Sequence, residues 1–565
     1  MSKTKTGGLV KLARDSRIAP SDTDMFIRDY LQALNCPRAL TVWLLYESRE
    51  HNQLVSLDIE PQQYYNAAGF RDAYLATKFL SKADFLETGI DKDKAALSKF
   101  DSFESKCGET NRYFWTLDSQ PNLPVENVRL LSKARRKIQD ILGNFSAEEF
   151  VKNGNWGPGV STLIKGEEVS AFNKFRDERG ITRDMYSLVS EWFHLAYPLW
   201  SPEPLSLMGD RCMKIQSGNT VTTVPKNSKT NRIIAIEPGI NLWFQQSIGA
   251  MLVRRLRRVG IDLTTQETNQ YLAWRSSKDD SLATVDFSSA SDSISTAVVE
   301  DLLPKRWFTL MNSSRSQFRQ DLDRPVRWNK FSSMGNAFTF PLQSLIFYAC
   351  AWASCEALNI SPEISVFGDD VLLPKEAYSL FSSFTKFLGF EVNQSKSFSS
   401  GYFRESCGSY YYDGVDCKPY YLKSRIRTPF QVYQAANSVR LVARRCMLNL
   451  ACDKRFLVCW RKLTKLVPKP LRFRVPLSNL TSGFISNFDE ACPSKARHGI
   501  EGYRYAGLIT RGITRESDDP AMLLARLWVP TTQDRGNTYD LRGRIRVAVK
   551  RDMLVPRWHD LGPWI

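Results

Sequence analysis

The stretch Ser365 to Pro374, SVFGDDVLLP, constrains this chain more than any other. Two apolar halves flank Gly368-Asp369-Asp370, and the pattern over Ile364 to Leu373 predicts two short strands joined by a tight hairpin turn. Adjacent carboxylates repel, and the apolar halves of the hairpin offer nothing positive to relieve them. They make physical sense there if they hold a divalent cation. Mg²⁺ is hard and takes carboxylate oxygens together with substrate phosphates. Alone, such a turn is more often a solvated acidic loop than a metal site.

A second element changes that balance. In LATVDFSSASDSIS, Leu282 to Ser295, a short strand over Leu282 to Phe287 carries Asp286 near its end, and Asp292 follows six residues later. A helix is expected over Ser291 to Leu303, with Asp292 or Ser293 as its N-cap. Taken separately, these two acids are a strand-end and a helix-end residue. If the strand lies beside the hairpin, Asp286, Asp369 and Asp370 converge. Three carboxylates can hold two metal ions about 4 Å apart, an arrangement suited to in-line phosphoryl transfer.

A third element is basic. Val221 to Pro238 reads as two extended runs around a turn, and Lys226, Lys229 and Arg232 fall within seven residues of it. A triphosphate needs such donors, because charge spreads over its oxygens as it reacts. The loop GNWGPG, Gly154 to Gly159, imitates the start of a phosphate-binding loop, but Val160-Ser161 follows where Lys-Ser/Thr is required.

Composition narrows the partner. The 565 residues are 43% hydrophobic, enough for a large core, which excludes a disordered or fibrous chain. At about 100–200 residues per domain, three or four compact parts are expected. Lys plus Arg number 77 against 60 acids, and a net charge of +17 points to a polyanion, either nucleic acid or an anionic membrane. The longest uncharged run, Phe331 to Cys355, is densely apolar only over Leu345 to Ala353. That falls short of the roughly 20 residues a spanning helix needs, so it reads as a buried helix. The N-terminal MSKTKTGGLVKLARDSR lacks the apolar segment of a secretory signal. Eleven cysteines without a Cys-x-x-Cys pair, and four histidines, do not make a zinc site; they read as reduced, mostly buried thiols of a cytosolic protein.

The charge is unevenly spread. Lys418 to Val475 holds fifteen Lys/Arg and one acid, Asp453. There Arg440, Arg444 and Arg445 interleave with Leu441, Val442 and Leu448, the pattern of a helix with one apolar and one phosphate-tracking face. A further cluster, Arg542, Arg544, Arg546, Lys550 and Arg551, lies near the C-terminus. Tyr410, Tyr411, Tyr412, Tyr420 and Tyr421 fit equally as base-stacking rings or as strand core. Near the N-terminus, Asn127 to Leu142 predicts a helix with Val128, Leu131, Ala134, Ile138 and Ile141 on its inner face.

Six blocks now stand in order between Val224 and Tyr421: VPKNSKTNRIIAIEP, ATVDFSSASDSIS, SSMGNAFTFPLQSLIF, SVFGDDVLLP, GFEVNQSKSF and FRESCGSYYYDGVDCKPYY. Together they resemble the RNA-directed RNA polymerases, most closely the replicase catalytic subunits of small single-stranded RNA bacteriophages. Outside that span the likeness is one of size and character only. The resemblance implies an α+β right-hand fold with an antiparallel-sheet palm and helical fingers and thumb. The expected division is 1–275 for the N-terminal region and fingers, 276–425 for the palm, and 426–565 for the basic thumb and C-terminal region.

The resemblance also implies roles. Asp286 and Asp369 become the principal ligands of two Mg²⁺ ions, with Asp370 supporting and with Mn²⁺ or Ca²⁺ able to substitute in binding. Lys396 becomes the acid for the leaving pyrophosphate. Lys226, Lys229 and Arg232 meet the triphosphate, Ser291 with Asp292 reads the ribose 2′-hydroxyl, and Gly335 with Asn336 lies near template and incoming nucleotide. Arg404 and Glu405 open a block that grips the nascent strand, and Arg440, Arg444 and Arg445 belong to the RNA-binding face. Reverse transcriptases place a bulky aromatic five residues after the first aspartate; Ser291 stands there, which favours ribonucleotides. Pro341 requires the helix after Asn336 to begin close to the proline.

The implied setting is the cytoplasm of an infected bacterium. The implied partners are template and product RNA, ribonucleoside triphosphates, host elongation factors Tu and Ts, and in some members the largest small-subunit ribosomal protein. The alternative, a non-catalytic RNA-binding protein or translational repressor, explains the positive charge but not three separately placed aspartates.

Overall fold

The hairpin expected at Gly368 forms. In the computed structural model, which describes residues 3–119, 124–189, 196–197, 213–320, 324–497, 499–514, 520–528 and 540–565, strands Ser365–Phe367 and Asp370–Pro374 pair antiparallel with Phe367 opposite Asp370. Strand Leu282–Val285 adds to the other side of Asp370–Pro374, also antiparallel, with Val285 opposite Val371. The result is a three-stranded sheet that brings the end of one acidic block to the turn of the other. Leu282–Val285 is buried along its whole length because helices pack on the sheet.

Helix Thr339–Ala357 is one of these, and nearly all of its side chains are buried. Its central stretch, Leu345 to Ala353, is uncharged and apolar on nearly every face, the pattern of a buried core helix. Pro341 is its third residue, inside the first turn, where the missing N–H has no intrahelical acceptor to lose. Helix Glu267–Asp279 also packs on the sheet and fastens it through Asn269, whose Oδ1 accepts from Ser365 Oγ at 2.6 Å.

One local expectation fails. The helix expected from Ser291 is a 3-10 turn over Ala290–Asp292 and an α-helix only from Thr296 to Leu302. Neither Asp292 nor Ser293 caps it. Ser293 bonds to nearby backbone instead, its Oγ donating to Ser289 O at 3.0 Å, which competes with a helical start there.

The basic turn joins antiparallel strands Thr220–Pro225 and Asn231–Ile236. Asn227 Oδ1 closes it by accepting from the N–H groups of Lys229 and Thr230 at 2.9 and 3.0 Å. Helix Val125–Leu142 forms as the periodicity predicts, with Leu131, Ala134, Ile138 and Ile141 buried and Val128 only partly so.

The boundary expected at 275 does not describe the cores. Helix Val125–Leu142, helix Gly239–Arg258 and the central sheet with helix Thr339–Ala357 share one core. Residues 13–86 instead share a second core with residues 422–561. Polar contacts fasten the latter pair: Leu422 N–H donates to Phe79 O at 2.9 Å, Arg455 meets Asp72 at 2.8 Å, and Lys462 meets Asp29 at 2.9 Å. Local periodicity cannot reveal which distant helices share an apolar face.

The ten described cysteines are all free, and most are buried. Among the described residues no helix is long and apolar enough to cross a membrane. In the C-terminal basic cluster, the side chains of Arg542, Arg544 and Arg551 lie outside the described set; Arg546 and Lys550 are exposed.

Candidate active site

Asp286 follows directly on strand Leu282–Val285, and local contacts hold its backbone. Ser397 Oγ bonds both its N–H and its carbonyl, at 3.1 and 3.2 Å, and Asn393 N–H donates to the same carbonyl at 2.8 Å. Asn393 Nδ2 donates to Oδ2 of the side chain at 3.0 Å, and Lys396 Nζ lies 3.5 Å from that oxygen. The segment Asn393–Ser397 therefore wraps the aspartate from backbone to carboxylate.

Asp369 sits in the hairpin turn, preceded by Gly368 at φ +69°. A Cβ on Gly368 would lie 2.5 Å from Phe340 Cε2, and its N–H donates to Ser344 Oγ at 2.9 Å, so only glycine lets the turn seat against the core helix. Burial, and then the charge of Asp286, push the Asp369 carboxyl above its ordinary value. The two carboxylates are near enough for the charge of one to act on the other.

Asp370 is placed differently. Its Oδ1 accepts from Cys407 N–H at 3.1 Å and from Ser406 Oγ at 3.4 Å, on the neighbouring hairpin of strands Phe403–Ser406 and Ser409–Tyr412. Burial raises its carboxyl to about 7, against the lowering effect of the Cys407 N–H. Among the described residues no group of three or more His, Cys, Asp or Glu is gathered closely enough to hold a metal by itself. Of the expected trio, Asp286 and Asp369 feel one another's charge, while Asp370, which feels both, is tied to the neighbouring hairpin.

Positive charge surrounds the pair. Burial alone would lower the Lys396 ammonium, but Asp286, Glu405 and Asp369 outweigh it and hold it above its usual value. Desolvation and the nearby Arg232, Lys99 and Lys396 lower Lys226. Lys226, Lys229 and Arg232 stand exposed on the basic hairpin. That hairpin docks on the Gly335 turn: Ala235 N–H donates to Met334 O at 2.8 Å, and a Cβ on Gly335, at φ +115°, would meet Ala235 O at 2.0 Å. Asn336 is 6% exposed; its Oδ1 accepts from Phe338 N–H, and among the described residues its Nδ2 meets no acceptor. A buried amide donor left open in this way suits a polar ligand.

The family model for the RNA replicase beta-chain matches residues 31–484. The chain is 34% identical over 468 residues to the RNA-directed RNA polymerase subunit beta of Qbeta virus strain MX1, covering 81% of this chain and 77% of that protein. The chain belongs to the RNA replicase beta-chain family. The corresponding subunit of Escherichia virus Qbeta is 38% identical over 71% of the replicase chain and 67% of its own length. The beta chain of Escherichia phage MS2 is 32% identical over 70% and 72%. Among solved structures, the RNA-dependent RNA polymerase of a human picorbirnavirus aligns with 44% of this chain and 56% of its own at 13% identity and a TM-score of 0.31, too distant to add to that assignment.

Several residues expected at the RNA-binding face of the replicase are elsewhere. Arg404 is fully buried and spends its guanidinium on Asp280 at 2.7 Å and on the carbonyls of Leu282, Gly401 and Phe403. Arg440 is likewise buried, bidentate to Glu490 at 2.7 and 2.9 Å and flanked by the rings of Trp460 and Trp564. Both hold the fold together and have no surface to offer a phosphate. Arg444 and Arg445 remain partly exposed. Tyr410, Tyr412 and Tyr420 pack in cores, while the ring of Tyr421 carries Lys82 Nζ at 3.7 Å.

Two lysines were missed. Lys82 is lowered by burial and by Lys423 and Lys396, which places it on the basic wall near Glu405. It comes from an N-terminal helical region, and nothing local marks it. Lys330 is 1% exposed and meets Asp292 Oδ1 at 3.3 Å. Its signal was legible: a lone cation between Trp328 and Phe331 in RWNKF.

Proposed function

We propose that this RNA-directed RNA polymerase copies an RNA template from ribonucleoside triphosphates by two-metal nucleotidyl transfer at Asp286 and Asp369. The observation that carries this reading is their juxtaposition: two carboxylates from separate sequence blocks, one buried against the other's charge, ringed by lysine and arginine. We extend the reading to a right-hand arrangement, with the three-stranded sheet as palm, the Thr220–Ile236 hairpin in the fingers and the basic C-terminal helices in the thumb.

The donors fit a hard divalent cation. The Asp369 carboxyl, raised by burial and by the charge of Asp286, is relieved by a positive ion, and Mg²⁺ typically takes one or two carboxylates and completes its shell with water and phosphate. Asp286 and Asp369 would hold it, with Asp370 bracing the hairpin. When bound, Mg²⁺ supplies charge neutralisation on the phosphates and acidifies the attacking 3′-hydroxyl. Lys226, Lys229 and Arg232 bind the triphosphate. Lys396, kept protonated beside Asp286, gives a proton to the departing pyrophosphate. Asp292, with the small Ser291 beside it, accepts the ribose 2′-hydroxyl, and Asn336 Nδ2 donates to the nucleotide or template.

A template-copying assay with Mg²⁺ tests the reading. Asp286→Asn and Asp369→Asn should abolish incorporation while thermal unfolding stays close to the parent. Continued synthesis by either variant overturns the assignment, and RNA binding without synthesis by the parent would support the repressor alternative. We extend the proposal to action in the host cytoplasm with elongation factors Tu and Ts and, in some settings, the largest small-subunit ribosomal protein. Co-purification from infected cells tests that part separately.

A further inference from the structure

Lys330 presents a physical puzzle. Burying an ammonium costs several kcal/mol unless it is paired, and a methionine would fill the same space without that cost. Its Nζ lies 3.3 Å from Asp292 Oδ1 and 3.8 Å from Glu104 Oε2, and 3.2 Å above the ring centroid of Phe100, with Trp328 at 5.1 Å. Glu104 also accepts from the N–H groups of Asn329 and Lys330, so it is anchored independently of the ammonium. The ammonium's distinct effect therefore falls on Asp292.

Asp292 ends a 3-10 turn, and its N–H donates to Ser289 O at 2.8 Å. The backbone is set, but the terminal torsion of an aspartate is broad and roughly two-fold. Lys330 removes that freedom by holding Oδ1, while among the described residues no donor meets Oδ2. Without the cation, Asp292 would also be pushed away from the charge of Glu104. A carboxylate with one oxygen anchored and the other open is an oriented acceptor for a single hydroxyl.

We infer that Lys330 is a positioning residue that aims the Asp292 carboxylate at the ribose 2′-hydroxyl and so sets the enzyme's choice of ribonucleotides over deoxyribonucleotides. The inference rests on the reading of Asp292 as the sugar acceptor. A site built to bond a hydroxyl rejects the analogue lacking it because its own polar group is then left unpaired, and that penalty depends on the acceptor being held in place.

The test is the ratio of kcat/KM for GTP over dGTP in single-nucleotide extension by the full chain, with thermal unfolding measured alongside. Asp292→Ala should lower the ratio. Lys330→Met should lower it too, by roughly tenfold or more, mainly through poorer use of GTP. Lys330→Met/Glu104→Gln, which removes the uncompensated acid as well, should show the same loss in a better-folded protein. Phe100→Leu removes the ring beneath the ammonium but leaves the ammonium and both of its carboxylates in place, and should lower stability while keeping the ratio. An unchanged ratio in Asp292→Ala overturns the sugar-reading role itself. A lowered ratio in Asp292→Ala together with a parental ratio in both Lys330 variants overturns the inference alone, as does an equal loss on GTP and dGTP.

Discussion

Lys396 Nζ stands 3.5 Å from Asp286 Oδ2, the same oxygen that accepts from Asn393 Nδ2 at 3.0 Å. One short segment thus supplies both the hydrogen bond that orients the aspartate and the cation beside it. The pair is half-exposed on the lysine side, so it adds little to stability, about 0–1 kcal/mol. Its consequence is chemical. Lys396→Met should slow nucleotide incorporation by about 10²–10⁴-fold at saturating triphosphate, the range of a lost general acid, with little change in the unfolding midpoint. Rapid-quench measurement of a single incorporation decides this, and a parental rate would remove the acid role.

Gly368 is where the active-site turn meets the core. At φ +69°, with Phe340 Cε2 2.5 Å from any added Cβ, alanine is excluded twice over. The backbone strain alone is worth about 1–2 kcal/mol, and relieving the clash must move either Phe340 or the turn that carries Asp369. Gly368→Ala should therefore lower urea resistance and abolish most template copying, even though it removes no functional group. A variant with parental activity would mean that the turn is not held by this contact.

The two arginines of helix Pro429–Cys446 separate structure from binding. Arg440→Met leaves Glu490 without its bidentate partner and should cost on the order of 3 kcal/mol in unfolding free energy. RNA affinity per folded molecule should stay the same. Arg444 is partly exposed, and its Nε donates to the carbonyl of Asn449 at 3.2 Å. Arg444→Gln should leave stability within about 0.5 kcal/mol and reduce the slope of log affinity against log salt by about 1 if it meets a phosphate. Filter binding over a salt series, beside chemical denaturation, distinguishes the two.

These contrasts mark what was legible in the sequence. The hairpin at Gly368, the strand ending at Asp286 and the basic turn at Lys226 follow from short-range rules, whereas the antiparallel sheet that joins the first two was an expectation from the family resemblance. The apolar run after Asn336 could only be a core helix, and Pro341 located its start. Arg404 and Arg440 went wrong because charge is visible in a sequence and burial is not: their partners, Asp280 and Glu490, lie 124 and 50 residues away. Asp370 was expected only to support Asp369, and how it is held was hidden for a similar reason, since the Cys407 N–H that meets its carboxylate belongs to another hairpin. The association of the first ninety residues with the C-terminal core has no local signature at all.

Glu237 gives the fold a pH dependence of its own. It is 2% exposed at the end of the basic hairpin, and it accepts from Ser316 Oγ at 2.6 Å, Asn219 Nδ2 at 2.8 Å and Gln245 Nε2 at 3.2 Å. These donors favour the charged form, but burial dominates and raises its carboxyl above the ordinary 4.5. The folded state therefore binds this proton more tightly than the unfolded chain does. The contribution to stability is complete below about 4.5, and it is lost as pH rises through the folded value. Glu237→Gln cannot titrate, so its unfolding free energy should fall less than the parent's between pH about 4.5 and pH about 8. Urea denaturation of both proteins across that range measures the difference. Parallel curves would mean that Glu237 keeps an ordinary carboxyl in the fold.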